Sequence, residues 1–218
     1  MQIDTPWALI PAHDEAPRIE AVLRALDLPV LVVDDRSSDD TAAVARSAGA
    51  TVIASQEAGY AGTIRTGHRW LLHHGIQRVI QLDADGQHPP VAVDGLIAAL
   101  DNANWVIGSR QGTDSPTSLG RRAGNRLLGL GVRALTGARL HDVTSGFWAL
   151  DERALRLFAS FTDDVADANV RVAALKAGLQ VRELPVAMAD RDSGVSMHDG
   201  WRGVRNLSRS VSAMWAAR

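Results

Sequence analysis

Asp83-Ala84-Asp85 stands directly behind the apolar run Arg78-Val79-Ile80-Gln81-Leu82, and Gly86-Gln87-His88-Pro89-Pro90 follows. Two carboxylates one residue apart at the end of a buried strand suit a hard divalent cation, Mg²⁺ or Mn²⁺, that bridges to substrate phosphates. The competing reading of so common a pair is a solvated turn in which Asp85 caps the next helix. Asp34-Asp35 closes a second apolar run, Val30-Leu31-Val32-Val33. A carboxylate there suits a base or ribose, or else simply an acidic turn ahead of a helix. His13-Asp14-Glu15 and Gly108-Ser109-Arg110 follow two further runs. A Gly-x-Gly-x-x-Gly turn is missing behind the first run, and Gly-x-x-x-x-Gly-Lys-Ser/Thr is missing throughout. This argues against a dinucleotide dehydrogenase and a P-loop enzyme.

These residues need a scaffold, and the order of the chain supplies one. Strands are expected at 7–11, 30–33, 51–54, 78–82 and 105–107, separated by helical patterns at 15–26, from Ser38 or Asp39 to about Gly49, at 61–74, and from Pro89-Pro90 to about Leu100. Continuous apolar strands alternating with helices mean an α/β fold, a Rossmann-like, mostly parallel sheet with helices on both faces. Ligands of such sheets bind outside the carboxyl ends of the strands, where the acids and the Gly-Ser-Arg turn collect. Beyond 110 the pattern changes. A Gly/Ser/Thr/Pro-rich loop (111–120) precedes an arginine-rich helix (121–136) and the stretch Asp142-Val143-Thr144-Ser145-Gly146-Phe147. Helices near 151–158 and 165–177 and a strand at 181–186 complete the reading. Residues 1–218 are read as one domain, with a half at about 7–110, a second at about 111–199, and an amphipathic helix at about 200–218.

The chain has 218 residues, 46% apolar and 22% charged, with no cysteine. That is enough to bury a sizeable core, and it offers neither a disulfide framework nor a thiolate metal site. Neither a signal peptide nor an 18-residue apolar run is visible, so a cytoplasmic protein is expected. The net charge of −2 hides an asymmetry. Residues 1–101 hold 14 acidic and 7 basic side chains, whereas residues 102–218 hold 11 acidic and 16 basic. All cations but Lys176 are arginines, whose planar fork suits phosphate, although codon bias also explains the preference. With a slightly negative charge and no recognition motif, nucleic acid is not an expected partner.

Ile10-Pro11-Ala12-His13-Asp14-Glu15, Val32-Val33-Asp34-Asp35-Arg36-Ser37-Ser38-Asp39-Asp40-Thr41, Leu82 to Pro90, Ile107-Gly108-Ser109-Arg110 and Ser145-Gly146-Phe147, in that order, resemble family-2 glycosyltransferases. Within that family they are most similar to the dolichyl- or polyprenyl-phosphate sugar synthases, over about residues 7–197. The resemblance implies a GT-A fold, a UDP- or GDP-linked sugar donor, a divalent metal, inversion at the anomeric carbon and a lipid-phosphate acceptor. It places Pro11, Ala12 and Glu15 at the border of the nucleotide pocket, with Asp35 on the nucleoside and Asp34 nearby. It further implies metal and diphosphate binding by Asp83 and Asp85, Gln87 beside the donor, and Arg191 near the diphosphate. Arg110, Arg122 and Ser145 match positions that receive an acceptor phosphate, and Asp167 matches a carboxylate near the acceptor. The sequence departs from the family at Asp14 (usually Asn), at His13 (often aromatic), at Gly59-Tyr60-Ala61-Gly62, which lacks a lysine, and at Met197, a common Lys position.

A polyprenyl phosphate is ionised near neutral pH and needs no strong base. The expected work is to position its oxygen behind the sugar C1 and to stabilise the departing diphosphate. Asp83, Asp85 and their cation would do the second; the first falls to residues 102–139, which hold six arginines against one acid, Asp114. A soluble alcohol acceptor would require a base, for which Asp163, Asp164 and Asp167 are available. A third reading is a domain that binds nucleotide sugar without turnover. Trp201, Val204, Leu207, Val211 and Met214 recur at helical spacing beside Arg202, Arg205 and Arg209. That pattern suits a peripheral contact with the inner membrane face, a packing helix or an oligomer contact. His68, His73 and His74 are expected to face solvent, and Trp7, Trp70 and Trp105 to be core.

Overall fold

The computed structural model describes residues 5–113, 119–161 and 168–189. Asp114, Asp163, Asp164, Asp167, Arg191, Met197 and the amphipathic pattern at 200–218 lie outside these residues. Seven strands, β1 (Trp7–Ala12), β2 (Val30–Asp34), β3 (Thr51–Ala54), β4 (Arg78–Gln81), β5 (Trp105–Ser109), β6 (Trp148–Asp151) and β7 (Val181–Pro185), form one sheet in the order β3-β2-β1-β4-β6-β5-β7. All neighbours are parallel except that β6 runs antiparallel to both β4 and β5.

Alternation along each strand divides the core between the two faces of the sheet. Leu9, Leu31, Val33, Trp105 and Ile107 join one cluster with side chains from α3 (Gly59–His73), α5 (Leu119–Thr136), α6 (Glu152–Ser160) and α7 (Ala168–Lys176). Ala8, Ile10, Val32, Ile80 and Val106 join the other, beneath α1 (Ala16–Arg24), α2 (Thr41–Ser47) and α4 (Val93–Ala98). Each fully buried Leu, Ile or Val is worth about 1.5–3 kcal/mol relative to exposure, so the strands are fixed from both sides. Gly67 lets α3 lie close to β1, since a Cβ there would fall 2.4 Å from Leu9 Cδ1.

The expected elements are present to within a few residues, and two readings need correction. The strand β6 was not expected: its four residues Trp-Ala-Leu-Asp run straight into α6, where Asp151 accepts the Ala154 N–H at 2.8 Å as N-cap. His68 does not face solvent. It is fully buried, because α3 packs on both the sheet and α6 and buries every residue from Gly62 to His68. His73 and His74 are exposed, Trp105 is core, and Trp7 and Trp70 are half-buried against each other.

Candidate active site

The exits of β1 and β2 form one cradle. The parallel register puts Pro11 beside Val33 and Ala12 beside Asp34. Past Ala12 the chain turns sharply through Asp14 (φ 53°), and past Asp35 through Arg36 (φ 58°). Asp and Asn tolerate this left-handed conformation better than most residues, which accounts for Asp14 standing at an Asn position. Its carboxylate accepts the Ser38 N–H at 2.7 Å, while its own N–H donates to Ser37 Oγ at 3.0 Å. The Asp35 N–H donates to the Ala12 carbonyl, its carboxylate accepts the Gly59 N–H at 2.9 Å, and its carbonyl accepts from His13 Nδ1 at 2.7 Å. Glu15 caps nothing with its side chain; it pairs with Arg18 at 2.7 Å, and its N–H donates to Thr41. Asp34 Oδ1 is buried with no hydrogen-bond partner among the described residues. A buried oxygen left in that state costs about 1–3 kcal/mol, and a donor arriving in the cradle would relieve it.

Asp83, Ala84 and Asp85 lie past β4, followed by a turn at Gly86 (φ 79°). Asp83 Oδ1 accepts from the Tyr60 hydroxyl at 3.1 Å, and Asp85 Oδ1 accepts the Gln87 N–H at 3.0 Å. The Asp83 N–H donates to His88 Nδ1 at 3.0 Å, which leaves the imidazole proton on Nε2, 3.9 Å from Asp83 Oδ2. His88 is buried and stacked on Phe147 with the ring centres 4.7 Å apart. Burial lowers its pKa further than the charges of Asp83 and Asp85 raise it, so the ring is neutral. Gln87 exchanges backbone and side-chain bonds with Ala189, which fixes the chain two residues ahead of Arg191 beside this turn.

Ser145-Gly146-Phe147 closes the opposite wall. A Cβ on Gly146 would meet the Tyr60 hydroxyl at 2.9 Å and the Asp83 oxygens at 3.6 and 3.7 Å, so this backbone lies against the Asp83 carboxylate. Trp148 Nε1 and Arg171 Nη2 both donate to the Ser145 carbonyl, and Gln81 Nε2 donates to that of Gly146 at 3.4 Å. Arg171 is fully buried, its guanidinium carbon lying over the rings of both Trp105 and Trp148. Ser145, expected at an acceptor phosphate, is buried and donates its hydroxyl to the Gly108 carbonyl at 2.6 Å; it builds the turn.

Arg110 forms a fork-to-fork pair with buried Asp142, through Nε at 2.8 Å and Nη2 at 2.7 Å, and Nη2 also donates to Thr144. Its Nη1 makes no hydrogen bond among the described residues. Asn125 and the Glu183 carboxylate complete the surroundings of Asp142: the former donates to its side chain, the latter accepts its N–H. Burial disfavours both charges, yet their mutual hydrogen bonds and attraction prevail, raising the Arg110 pKa and holding that of Asp142 below the usual carboxylate range. Arg122 is exposed on α5, one turn ahead of Asn125.

The structure thus gathers Pro11, Ala12, Glu15, Asp34 and Asp35 into one cradle, and Asp83, Asp85 and Gln87 into a second cluster joined to it through Gly59 and Tyr60, the first two residues of α3. Arg110 lies near enough for the Asp83 charge to act on its pKa. Tyr60, His88, Asp142, Gly146 and Arg171 were not singled out by sequence reasoning, although Tyr60 is the chain's one tyrosine. Among the described residues, no group of three or more His, Cys, Asp or Glu side chains could hold a metal ion. The Asp83/Asp85 pair nevertheless fits one hard cation: it offers oxygen donors on one turn, and Mg²⁺ and Mn²⁺ take a few carboxylates and complete their shell with phosphate and water.

Comparison with known proteins agrees with this geometry. The chain is 30% identical to an undecaprenyl-phosphate mannosyltransferase of Micrococcus luteus, over 95% of this chain and 94% of that one. It is 27% identical to a polyprenol monophosphomannose synthase of Mycolicibacterium smegmatis, over 96% and 86%. Its fold superposes with a TM-score of 0.70, at 18% identity and over 98% of this chain and 79% of the other, on glucosyl-3-phosphoglycerate synthase of Mycobacterium tuberculosis in complex with Mn²⁺, UDP-glucose and phosphoglyceric acid. The fold is GT-A. The model of the family Glycosyl transferase family 2 matches residues 7–158, a span from β1 into α6 that carries every strand exit just described, and the chain belongs to that family.

Proposed function

We propose that the protein transfers a hexose, with inversion, from a nucleoside-diphosphate sugar to a polyprenyl phosphate. The observation that carries this reading is the Asp83/Asp85 turn, held by Tyr60, His88 and Gly146 on the edge that also presents the Asp34/Asp35 cradle and Arg110. The names of the 30% and 27% identical relatives support the acceptor class.

The base and ribose enter the cradle, where Asp34 Oδ1 gains the donor it lacks. Asp83 and Asp85 would hold Mg²⁺ or Mn²⁺, which supplies charge neutralisation to the leaving diphosphate when bound. Tyr60 and the His88-bound Asp83 N–H fix the Asp83 carboxylate, and Gly146 keeps the opposite wall close to it. Arg110, preset by Asp142, directs Nη1 toward the acceptor phosphate, and Arg122 adds charge from α5. An acceptor oxygen then attacks C1 from the face opposite the diphosphate. The C1–O bond to the diphosphate breaks, the nucleoside diphosphate departs with the electron pair, and no proton needs to be removed. Fixing the two reactants in line is the main contribution of the protein.

A thermal-shift panel of UDP and GDP, with and without Mn²⁺, tests the donor side. A ligand at a hundred times its Kd adds about 2.7 kcal/mol, or about 5–10 °C for a chain of this size. One nucleotide is expected to shift the midpoint in a Mn²⁺-dependent manner, and Asp85→Asn to abolish that dependence. If neither nucleotide shifts the midpoint, the reading fails. Transfer to a prenyl phosphate but not to phosphoglycerate tests the acceptor side.

A further inference from the structure

Apart from Arg122, the outer face of α5 has no role in the site. Leu127 and Leu130 are 55% and 56% exposed, and Ala123 and Ala134 are exposed beside them. At about 100° per residue these four side chains fall in a stripe roughly 60° wide. Exposed Arg122, Arg126 and Arg133 run along one flank of it, whereas Leu128 and Val132, on the opposite side of the helix, are buried in the core. Asn125, on the inner side, donates to Asp142 and accepts the Val143 N–H at 2.9 Å. The helix that presents the stripe therefore also fixes the Arg110–Asp142 pair.

We infer that this face docks α5 on an anionic lipid surface, an inference that rests on the lipid-phosphate reading of the acceptor. Charge selects the occupant. From residue 115 to 141 the chain has five arginines and no acidic side chain. A second copy of the face would set arginine against arginine. The amphipathic segment 200–218 carries four arginines and no acid, so it too is repelled. A bilayer with anionic headgroups offers what the face lacks: negative charge for the arginine flank and an apolar layer for the leucines. Docked this way, the back of α5 would hold Arg110 at a set distance from the headgroup plane, where the phosphate of a prenyl chain lies.

The test is co-sedimentation of the full chain with vesicles of phosphatidylglycerol and phosphatidylcholine, against vesicles of phosphatidylcholine alone. Binding to the anionic vesicles is expected to be about tenfold stronger and to weaken with salt. Leu127→Glu/Leu130→Glu is expected to lose about tenfold in that binding while keeping the wild-type melting temperature, since both side chains are exposed. Wild-type binding by the variant, no binding by the wild type, or a dimer that the variant dissociates would each overturn the inference. Activity separates this inference from the reading it rests on. The variant should match the wild type on a short, water-soluble prenyl phosphate and fall behind on a long-chain one in vesicles. Vesicle binding that the variant abolishes, in an enzyme that uses neither acceptor, would sustain the docking face and refute the lipid-phosphate reading.

Discussion

Gly146→Ala tests whether the Asp83 carboxylate works only when held in place. The new methyl carbon would lie 2.9 Å from the Tyr60 hydroxyl, about 0.5 Å inside an ordinary carbon–oxygen contact. Gly146 has no positive φ, so alanine adds no backbone strain and the hydroxyl must yield. Retreating directly from the methyl group, the oxygen moves nearly across its 3.1 Å bond to Asp83, lengthening it to about 3.3 Å and bending it, so the bond weakens. A bond to a charged acceptor is worth about 1.5–3 kcal/mol, and partial exposure of Asp83 favours the lower end, or about tenfold in rate for its complete loss. Tyr60→Phe removes the whole bond and should cost about tenfold, and Gly146→Ala should cost less. The double variant, with no hydroxyl to displace, should then resemble Tyr60→Phe instead of showing the product of both losses. The assay is steady-state transfer with Mn²⁺ titrated at saturating donor, alongside melting curves. All three variants should need more Mn²⁺ for half-maximal activity while melting within a few degrees of the wild type. Wild-type turnover and Mn²⁺ dependence in Gly146→Ala, or fully multiplicative losses in the double variant, would refute the coupling of Gly146, Tyr60 and Asp83.

Asp142→Ala leaves the largely buried Arg110 without its carboxylate; urea unfolding should show a loss of about 3–5 kcal/mol, and a loss below 1 kcal/mol would mean that solvent already compensates the guanidinium. His68 bonds Gln81 at 3.2 Å, and burial lowers its pKa to about 3. Between that value and the ordinary 6.5 the unfolded chain binds a proton that the folded chain refuses. Stability is therefore full above pH 6.5 and falls as pH drops, by at most about 1.4 kcal/mol per pH unit for this group. His68→Asn should flatten the slope of unfolding free energy between pH 7 and 5, and an unchanged slope would show that His68 does not drive it.

The parts of the site that lie next to a strand in sequence were legible before the structure. Apolar runs ending in Asp34-Asp35 and Asp83-Ala84-Asp85 announce both the strand and its exit, because a parallel strand covered on both faces tolerates no charge until it leaves the sheet. Side chains that reach the site from a distance were not legible. Asp142 sits in a loop with no periodicity, and only its pairing with Arg110, 32 residues earlier, gives it meaning. Arg171 reads as one cation on a short helix until the fold sets it over Trp105 and Trp148. His68 misled for a related reason. A hydrophobic stripe identifies the buried face only when a helix has one buried face, and α3 has two.

The direction of β6 decides why residues so far apart build one wall. Its antiparallel ladder with β4 pairs Arg78 with Asp151 and Gln81 with Trp148. Continued two residues past the last pair, the same register sets Asp83 opposite Gly146. Directly opposed residues hold their Cβ atoms about 4.5–5.5 Å apart, so any side chain at 146 competes with the Asp83 carboxylate for space. Only a strand that starts at the edge where β4 ends can offer its leading turn to the residues following β4; a parallel strand would place that turn at the far edge. The neighbouring ladder acts together with this one, since Gly108 donates to the Phe147 carbonyl at 2.8 Å and Phe147 stacks on His88. A slip of β6 by one residue would exchange its faces and withdraw Phe147 from His88. The same register that buries Trp148 and Leu150 with Trp105 therefore also positions the wall of the Asp83/Asp85 turn, so the packed core and the candidate site depend on one set of backbone pairs.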